Sequence, residues 1–254
     1  MALSDLMTVA EDDRRSGRAG DAELLYREVL TLDPANADAL DGLAEVRRAL
    51  GRREHGERSL PRKLAGRGRP WLSALAQRPR VWKYRALSSC DRVSGSPIVN
   101  QPVLFAGYGE VILGEGVQFG WQSSPLFYTG YCYVEAALPD ARVEIGDRVE
   151  INNNAMFKSE GPGIRIGRDG LFGAHVEIYD SDFHELDPRR RQGGRPRMAP
   201  VDIGENVFVG MGVRILKGVT VGADSVIGAG SVVTSSIPAG VVAAGNPARI
   251  VREL

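Results

Sequence analysis

Between Ile178 and His184 the chain reads Ile, Tyr, Asp, Ser, Asp, Phe, His, which sets two carboxylates just ahead of an imidazole. A neutral imidazole, with an ordinary pKa of about 6.5, is the side chain suited to take a proton near neutral pH. A carboxylate or a backbone carbonyl must hold such a ring in one tautomer. Asp180 and Asp182 are the candidates, with capping of the turn as their alternative task. His184 is therefore expected to act as a general base, a role worth about 10² to 10⁴ in rate. The other histidines carry less: His175 reads as structural and His55 has no role, and their spacing to the cysteines fits no metal site. Cys132 and Ser181 are nucleophile types, but no neighbour marks an activated thiolate or a triad.

The elements that must position His184 are read from a repeat. Ile203, Val209, Ile215, Val221, Ile227 and Val233 recur every six residues, with Gly204, Gly210, Gly222 and Gly228 following four of them. A helix needs a period of about 3.6 and an alternating strand a period of 2. Hexapeptide self-similarity points instead to a parallel β-helix, in which stacked coils bury one apolar column. The same step runs backwards through Leu113 and Phe119, through Ile145, Ile151 and Phe157, and through Ile166, Phe172 and Ile178. His184 stands where the next aliphatic residue is due, followed by a loop from Glu185 to Pro200. A repeat broken by polar residues on a rigid scaffold is what a functional site looks like. A second break, from Gln122 to Arg142, is rich in aromatics from Trp121 to Tyr133, which serve as packing or as a wall for sugar rings.

The run from Ile203 to Leu254 resembles the C-terminal coils and tail of the hexapeptide-repeat acyltransferases, above all the maltose, galactoside and surface-polysaccharide O-acetyltransferases. The resemblance covers roughly residues 97–254. It implies a left-handed, three-sided β-helix of 18 residues per coil, a homotrimer, and acetyl-CoA as co-substrate without a metal. It also implies that His184 is the catalytic base and that the Met211 backbone N–H is the oxyanion donor. The run Asn152, Asn153, Asn154 matches an acceptor-binding coil, with Asn154 the best match and Tyr179 beside it. Gly210, Lys217, Ala229, Thr234, Arg249 and Arg252 match positions that hold CoA. One departure stands out: relatives carry Lys or Arg where this chain has Ser235. The expected activity is transfer of an acetyl group to a sugar hydroxyl of a surface polysaccharide or its precursor. N-acylation of a nucleotide-linked amino sugar, modification of an antibiotic, and a non-catalytic scaffold are the alternatives.

The chain is neutral overall, with 32 basic and 32 acidic residues among 254, but its charge is segregated. Residues 1–46 hold eleven acids against four Arg, and residues 47–92 hold fourteen Lys or Arg against three acids. Residues 1–60 read as a small helical domain, with Leu24, Leu25, Val29 and Leu32 on one face, a break at Pro34, and Leu40, Leu43, Val46 and Leu50 on a second. Ala22, Tyr26 and Pro34 resemble positions of a tetratricopeptide unit, which implies a protein partner or a brace. Residues 61–96 read as a basic linker and helix, solvated or attracted to a lipid-phosphate-linked glycan, with Trp71, Trp82 and Tyr84 interleaved. No nucleic-acid partner is expected. The sequence shows no signal peptide and no long apolar run, so a cytoplasmic protein is expected, at most at the inner membrane face. Two cysteines fit a reducing compartment.

Overall fold

The computed structural model describes residues 3–33, 36–49 and 70–254. Pro34, Leu50, His55 and most of the basic linker lie outside the described residues. The chain divides into two compact units, Met1–Arg67 and Gly68–Leu254.

The first unit holds three helices, α1 (Leu3–Arg15), α2 (Ala19–Leu32) and α3 (Ala37–Ala49). Their shared core is Leu6, Ala10, Ala22, Tyr26, Val29, Ala39, Leu43 and Val46. The buried face of α2 therefore runs through Ala22, Tyr26 and Val29, whereas Leu24 and Leu32, expected inside, are 65% and 61% exposed. Small residues allow the close approach: a Cβ on Gly42 would come within 2.3 Å of the Tyr26 ring. Leu24 and Leu32 of α2 are left on the outer surface, while Leu6 and Leu43 from α1 and α3 complete the core.

The second unit begins with α4 (Pro70–Leu87) and continues as a three-sided parallel coil. Face A stacks Val93–Ser94, Glu110–Leu113, Arg142–Ile145, Ile164–Ile166, Val201–Ile203 and Thr220–Val221. Face B stacks Ile98–Val99, Gln118–Phe119, Glu150–Ile151, Leu171–Phe172, Phe208–Val209 and Val226–Ile227, then ends in the antiparallel pair Val241–Gly245 and Ala248–Glu253. Face C stacks Val103–Gly107, Cys132–Ala136, Met156–Ser159, Glu177–Tyr179, Arg214–Ile215 and Val232–Val233. Where nothing interrupts the coil, Ile203 pairs with Val221, Val209 with Ile227 and Ile215 with Val233, each pair 18 residues apart.

Every aliphatic or aromatic residue of the six-residue repeat points inward, and Val209, Ile215, Val221, Ile227 and Val233 are fully buried. The corner after face A repeats a left-handed turn, with Arg148, Asp169, Asn206 and Asp224 at φ between 54° and 60°. Cross-coil bonds brace that corner: Arg148 meets Asp169 at 2.7 Å, and Asn206 donates to Asp224 at 2.7 Å. Such strained positions persist because the stacked coils above and below over-determine them.

Helix α4 was expected to be a solvated connection, and here the structure corrects the reading. Gln77 is buried and donates to the Phe127 carbonyl at 2.5 Å, while Arg80 reaches the carbonyls of Phe127 and Gly130. Tyr84 packs on Tyr131 with ring centroids 4.4 Å apart. The helix is thus fastened to the aromatic-rich break in the repeat.

Candidate functional site

The polar cluster leaves the corner between faces C and A. Asp180, directly after the strand Glu177–Tyr179, is fully buried. Its carboxylate accepts hydrogen bonds from Ser159 Oγ at 2.7 Å and from the backbone N–H groups of Glu160 at 2.8 Å, Gly161 at 3.2 Å and Gly163 at 3.0 Å. A carboxylate so occupied closes the turn of the preceding coil, and His184 is not among its partners. Of the two tasks open to Asp180, capping is the one its geometry serves, which corrects its place among the catalytic residues.

Beyond Asp180 the chain forms a narrow neck. Ala199 N–H donates to the Asp180 carbonyl at 2.9 Å and Asp182 N–H to the Arg197 carbonyl at 3.0 Å. His184 N–H then donates back to the Asp182 carbonyl at 2.7 Å, with Phe183 between them at φ 61°. A bond from residue i+2 to residue i across a positive φ is the pattern of the rare, strained γ-turn. For a bulky residue such a φ is a true outlier, and outliers of this kind cluster at functional sites. The turn is paid for by the Phe183 ring, which meets Tyr179 edge to face at 5.4 Å and sits 4.8 Å from the Lys158 ammonium. It presents an exposed His184 at the root of the excursion.

Asp182 is the second carboxylate of the cluster, and its two oxygens differ. Oδ1 pairs with Lys217 Nζ at 2.7 Å, while Oδ2 is buried without a hydrogen-bond partner. A buried, unpartnered carboxylate oxygen is costly unless something else meets it. Asp182 thus keeps the capacity to accept a proton donor beside His184. Lys217, expected on CoA phosphates, instead spends its charge on this carboxylate.

On face C the outward row next to the turn runs Glu135, Lys158, Tyr179, matched in register. Lys158 pairs with Glu135 at 3.1 Å. The Tyr179 hydroxyl donates to Glu177 at 3.2 Å; burial first, then the Glu177 charge, pushes its pKa up to about 12. It therefore stays a protonated donor throughout the neutral range. Among the described residues no cluster of His, Cys, Asp and Glu could hold a metal ion.

The Asn run serves the other break in the repeat. Asn153 is fully buried; its amide donates to the carbonyls of Trp121, Ser124 and Pro125, and its Oδ1 accepts from Trp121 N–H. Asn152 donates to Ser124 Oγ at 2.8 Å. Asn154 accepts from Gln101 Nε2 at 2.9 Å, and its N–H donates to Gln101 Oε1 at 2.8 Å. These amides pin the aromatic excursion rather than stacking as an inner ladder. Gln101, fully buried and bonded also to Leu126 and Thr129, is a hub that sequence pattern did not mark.

The remaining positions fall on two corners. Gly210, Met211 and Ala229 lie between faces B and C, together with Asn154 and His175. The Met211 side chain is exposed, and its backbone N–H has no partner among the described residues. Lys217 and the exposed Thr234 lie between faces C and A, below the His184 turn. The width of face C, roughly 15–20 Å for about six extended residues, separates His184 from Met211 within one chain. Arg249 and Arg252 are exposed on the last strand of face B, bonded only to nearby carbonyls and free of carboxylates among the described residues. Cys132 is fully buried, and desolvation pushes its thiol up to about 12, far from nucleophilic use.

A stack of short parallel strands, three to a coil, with one aliphatic or aromatic residue turned inward every six, is a hexapeptide-repeat coil. Residues 200–235 match the bacterial transferase hexapeptide (six repeats) family. A Saccharomyces cerevisiae protein provisionally named an acetyltransferase, YJL218W, is 39% identical over 175 residues, covering 69% of this chain and 79% of that protein. A Schizosaccharomyces pombe protein with a similar provisional name, C18B11.09c, is 39% identical over 112 residues; the match covers 44% of this chain and 53% of that relative, about half its length. A Vibrio cholerae hexapeptide-repeat acetyltransferase solved with acetyl coenzyme A superimposes with a TM-score of 0.44 and 24% identity, over 87% of this chain and 92% of that one. The chain belongs to the hexapeptide-repeat acyltransferases. It is accordingly an acyl-CoA-dependent acyltransferase, and its coil is a left-handed parallel β-helix.

Proposed function

We propose that the chain is an acetyl-CoA-dependent O-acetyltransferase acting on a sugar hydroxyl, with a surface glycan or its precursor as acceptor. The observation that carries this reading is the γ-turn that sets an exposed His184 two residues after Asp182, whose buried Oδ2 has no hydrogen-bond partner. A sugar hydroxyl is too weak an acid to attack a thioester unaided, so the imidazole takes its proton as the oxygen bonds to the acetyl carbon. Asp182 Oδ2 is the acceptor available to orient the ring or its bound water. The oxyanion then needs a donor, and the unpartnered Met211 N–H fits that need. Collapse breaks the carbon–sulfur bond, and the imidazolium returns the proton to the departing thiolate.

Because face C separates His184 from Met211 in one chain, we assign them to a site shared by neighbouring copies of a homotrimer. Arg249 and Arg252 have free guanidinium edges suited to the donor's phosphates. The aromatic and charged row through Lys158 and Tyr179 is the wall offered to the acceptor. Thiol release from acetyl-CoA, measured across sugars, nucleotide sugars and lipid-linked glycans, tests the reading. Release with amino sugars alone, or with none of the panel, would reject it, and light scattering that gives an active monomer would reject the shared site.

A further inference from the structure

Away from the His184 turn, α4 and the aromatic excursion enclose a cavity of about 700 Å³ against the first strands of face B. That size lies within the roughly 300–1,000 Å³ of small-molecule sites. Its walls include Arg78, Trp82, Arg85, Asn100, Trp121 and Gln122, with no Asp or Glu among them. Trp82 is 73% exposed and Trp121 46% exposed, large apolar faces that the fold does not use. Neither Arg78 nor Arg85 pairs with a carboxylate among the described residues. The walls are held firmly, since Gln77 and Arg80 tie the helix to the excursion and Asn153 ties the excursion to the coil. A second cavity of about 220 Å³ shares Gln118 and Trp121 with the first and continues along face B past Leu171 to Phe208. Trp121 thus stands at the junction of a groove longer than one sugar ring.

We propose that this groove is an accessory carbohydrate subsite that binds an acidic oligosaccharide, a run of sugar units carrying carboxylates. Indole faces stack on the apolar faces of pyranose rings. Guanidinium groups form paired hydrogen bonds to carboxylates, and the amides of Asn100 and Gln122 suit neighbouring hydroxyls. The walls of the larger cavity lack acidic residues, which selects against cationic sugars there, and Glu150 in the smaller one confines the carboxylates to the arginine-lined end of the groove. The proposal deepens the acetyl-transfer reading by giving the acceptor a chain and a charge.

Titration calorimetry of full-length protein carrying His184→Ala, without acetyl-CoA, tests it. The probes are hexagalacturonate, maltohexaose and inorganic phosphate. Hexagalacturonate is expected to bind at least about tenfold more tightly than maltohexaose, through the charge-assisted pairs that the neutral chain lacks. Trp82→Ala and Arg85→Ala, both at exposed positions, are each expected to weaken it by about tenfold or more while leaving the assembly unchanged in light scattering. Equal binding of the neutral chain, no binding of either, or binding unmoved by both substitutions would overturn the proposal. Full competition by millimolar phosphate would reduce the groove to a simple anion site and overturn it too. Hexagalacturonate binding without any thiol release in the acceptor panel would leave this subsite standing and remove the transferase reading instead.

Discussion

Lys217 and Asp182 meet at 2.7 Å across the opening of the excursion, two residues ahead of His184. Both are largely sheltered, with side-chain exposures of 27% and 21%. Removing one partner of a sheltered pair leaves the other charge uncompensated. Lys217→Met should therefore lower kcat about tenfold while moving the KM for acetyl-CoA less than about twofold. A raised KM with unchanged kcat would return Lys217 to the donor's phosphates.

His184→Ala should cut turnover by at least about 10² without altering CoA affinity, because the base acts on the acceptor proton. His175→Ala, on the opposite corner, should keep most of the rate. Steady-state kinetics with CoA binding measured separately decides both, and a His184→Ala enzyme near full activity would remove the imidazole from the mechanism.

Asp180→Asn should destabilise the coil and not merely slow the reaction. The amide would turn N–H donors toward a nest of four donors, leaving buried groups unsatisfied at about 1–3 kcal/mol each. A clear fall in thermal midpoint is expected, and an unchanged midpoint would show that the nest tolerates a neutral cap.

Cys132 should resist alkylation in the folded protein. Its folded-state thiol pKa is raised to about 12, so the thiolate is scarce at pH 8, and burial denies access. Labelling with iodoacetamide at pH 8, followed by peptide mapping, should show Cys132 modified only after denaturation. Rapid native labelling, blocked by acetyl-CoA, would instead revive an acyl-cysteine route.

Arg249→Ala and Arg252→Ala should each raise the KM for acetyl-CoA several-fold with little change in kcat, since phosphate contacts lie far from the reacting carbon. Ser235→Lys should lower that KM, and hardly affect an acetyl-pantetheine donor that lacks the nucleotide. An equal effect on both donors would place residue 235 away from the phosphates.

The coil was legible because its constraint is one-dimensional. Ile203 through Val233 need only a six-residue step to reach the same inner column, and all of them do. The first unit was less so: helices pack by local size, so Ala22 and Tyr26 displaced Leu24 and Leu32 from the buried face. At the candidate site, the broken repeat pointed to His184, but not to what surrounds it. The Lys217–Asp182 pair joins residues brought together only by stacking, and the positive φ of Phe183 goes with contacts to Ser181, Tyr179 and Lys158 that the repeat does not encode. The Asn run was visible as a motif, yet its partners lie in an excursion that has no period to follow.

The excursion between Asp180 and Ala199 begins and ends on one hydrogen bond, and the strands on either side each keep register with the coil before them, Ile178 with Phe157 and Val201 with Ile164. Its ends are fixed by the scaffold whatever lies between them. Doubling such a loop adds only about 0.6 kcal/mol of closure entropy, so length and sequence there are free to drift while the coil stays folded. If His184 is the base proposed above, the surroundings of its imidazole are an exchangeable part: a different insert at the same corner would change what lies beside the ring and leave the scaffold that carries it as it is.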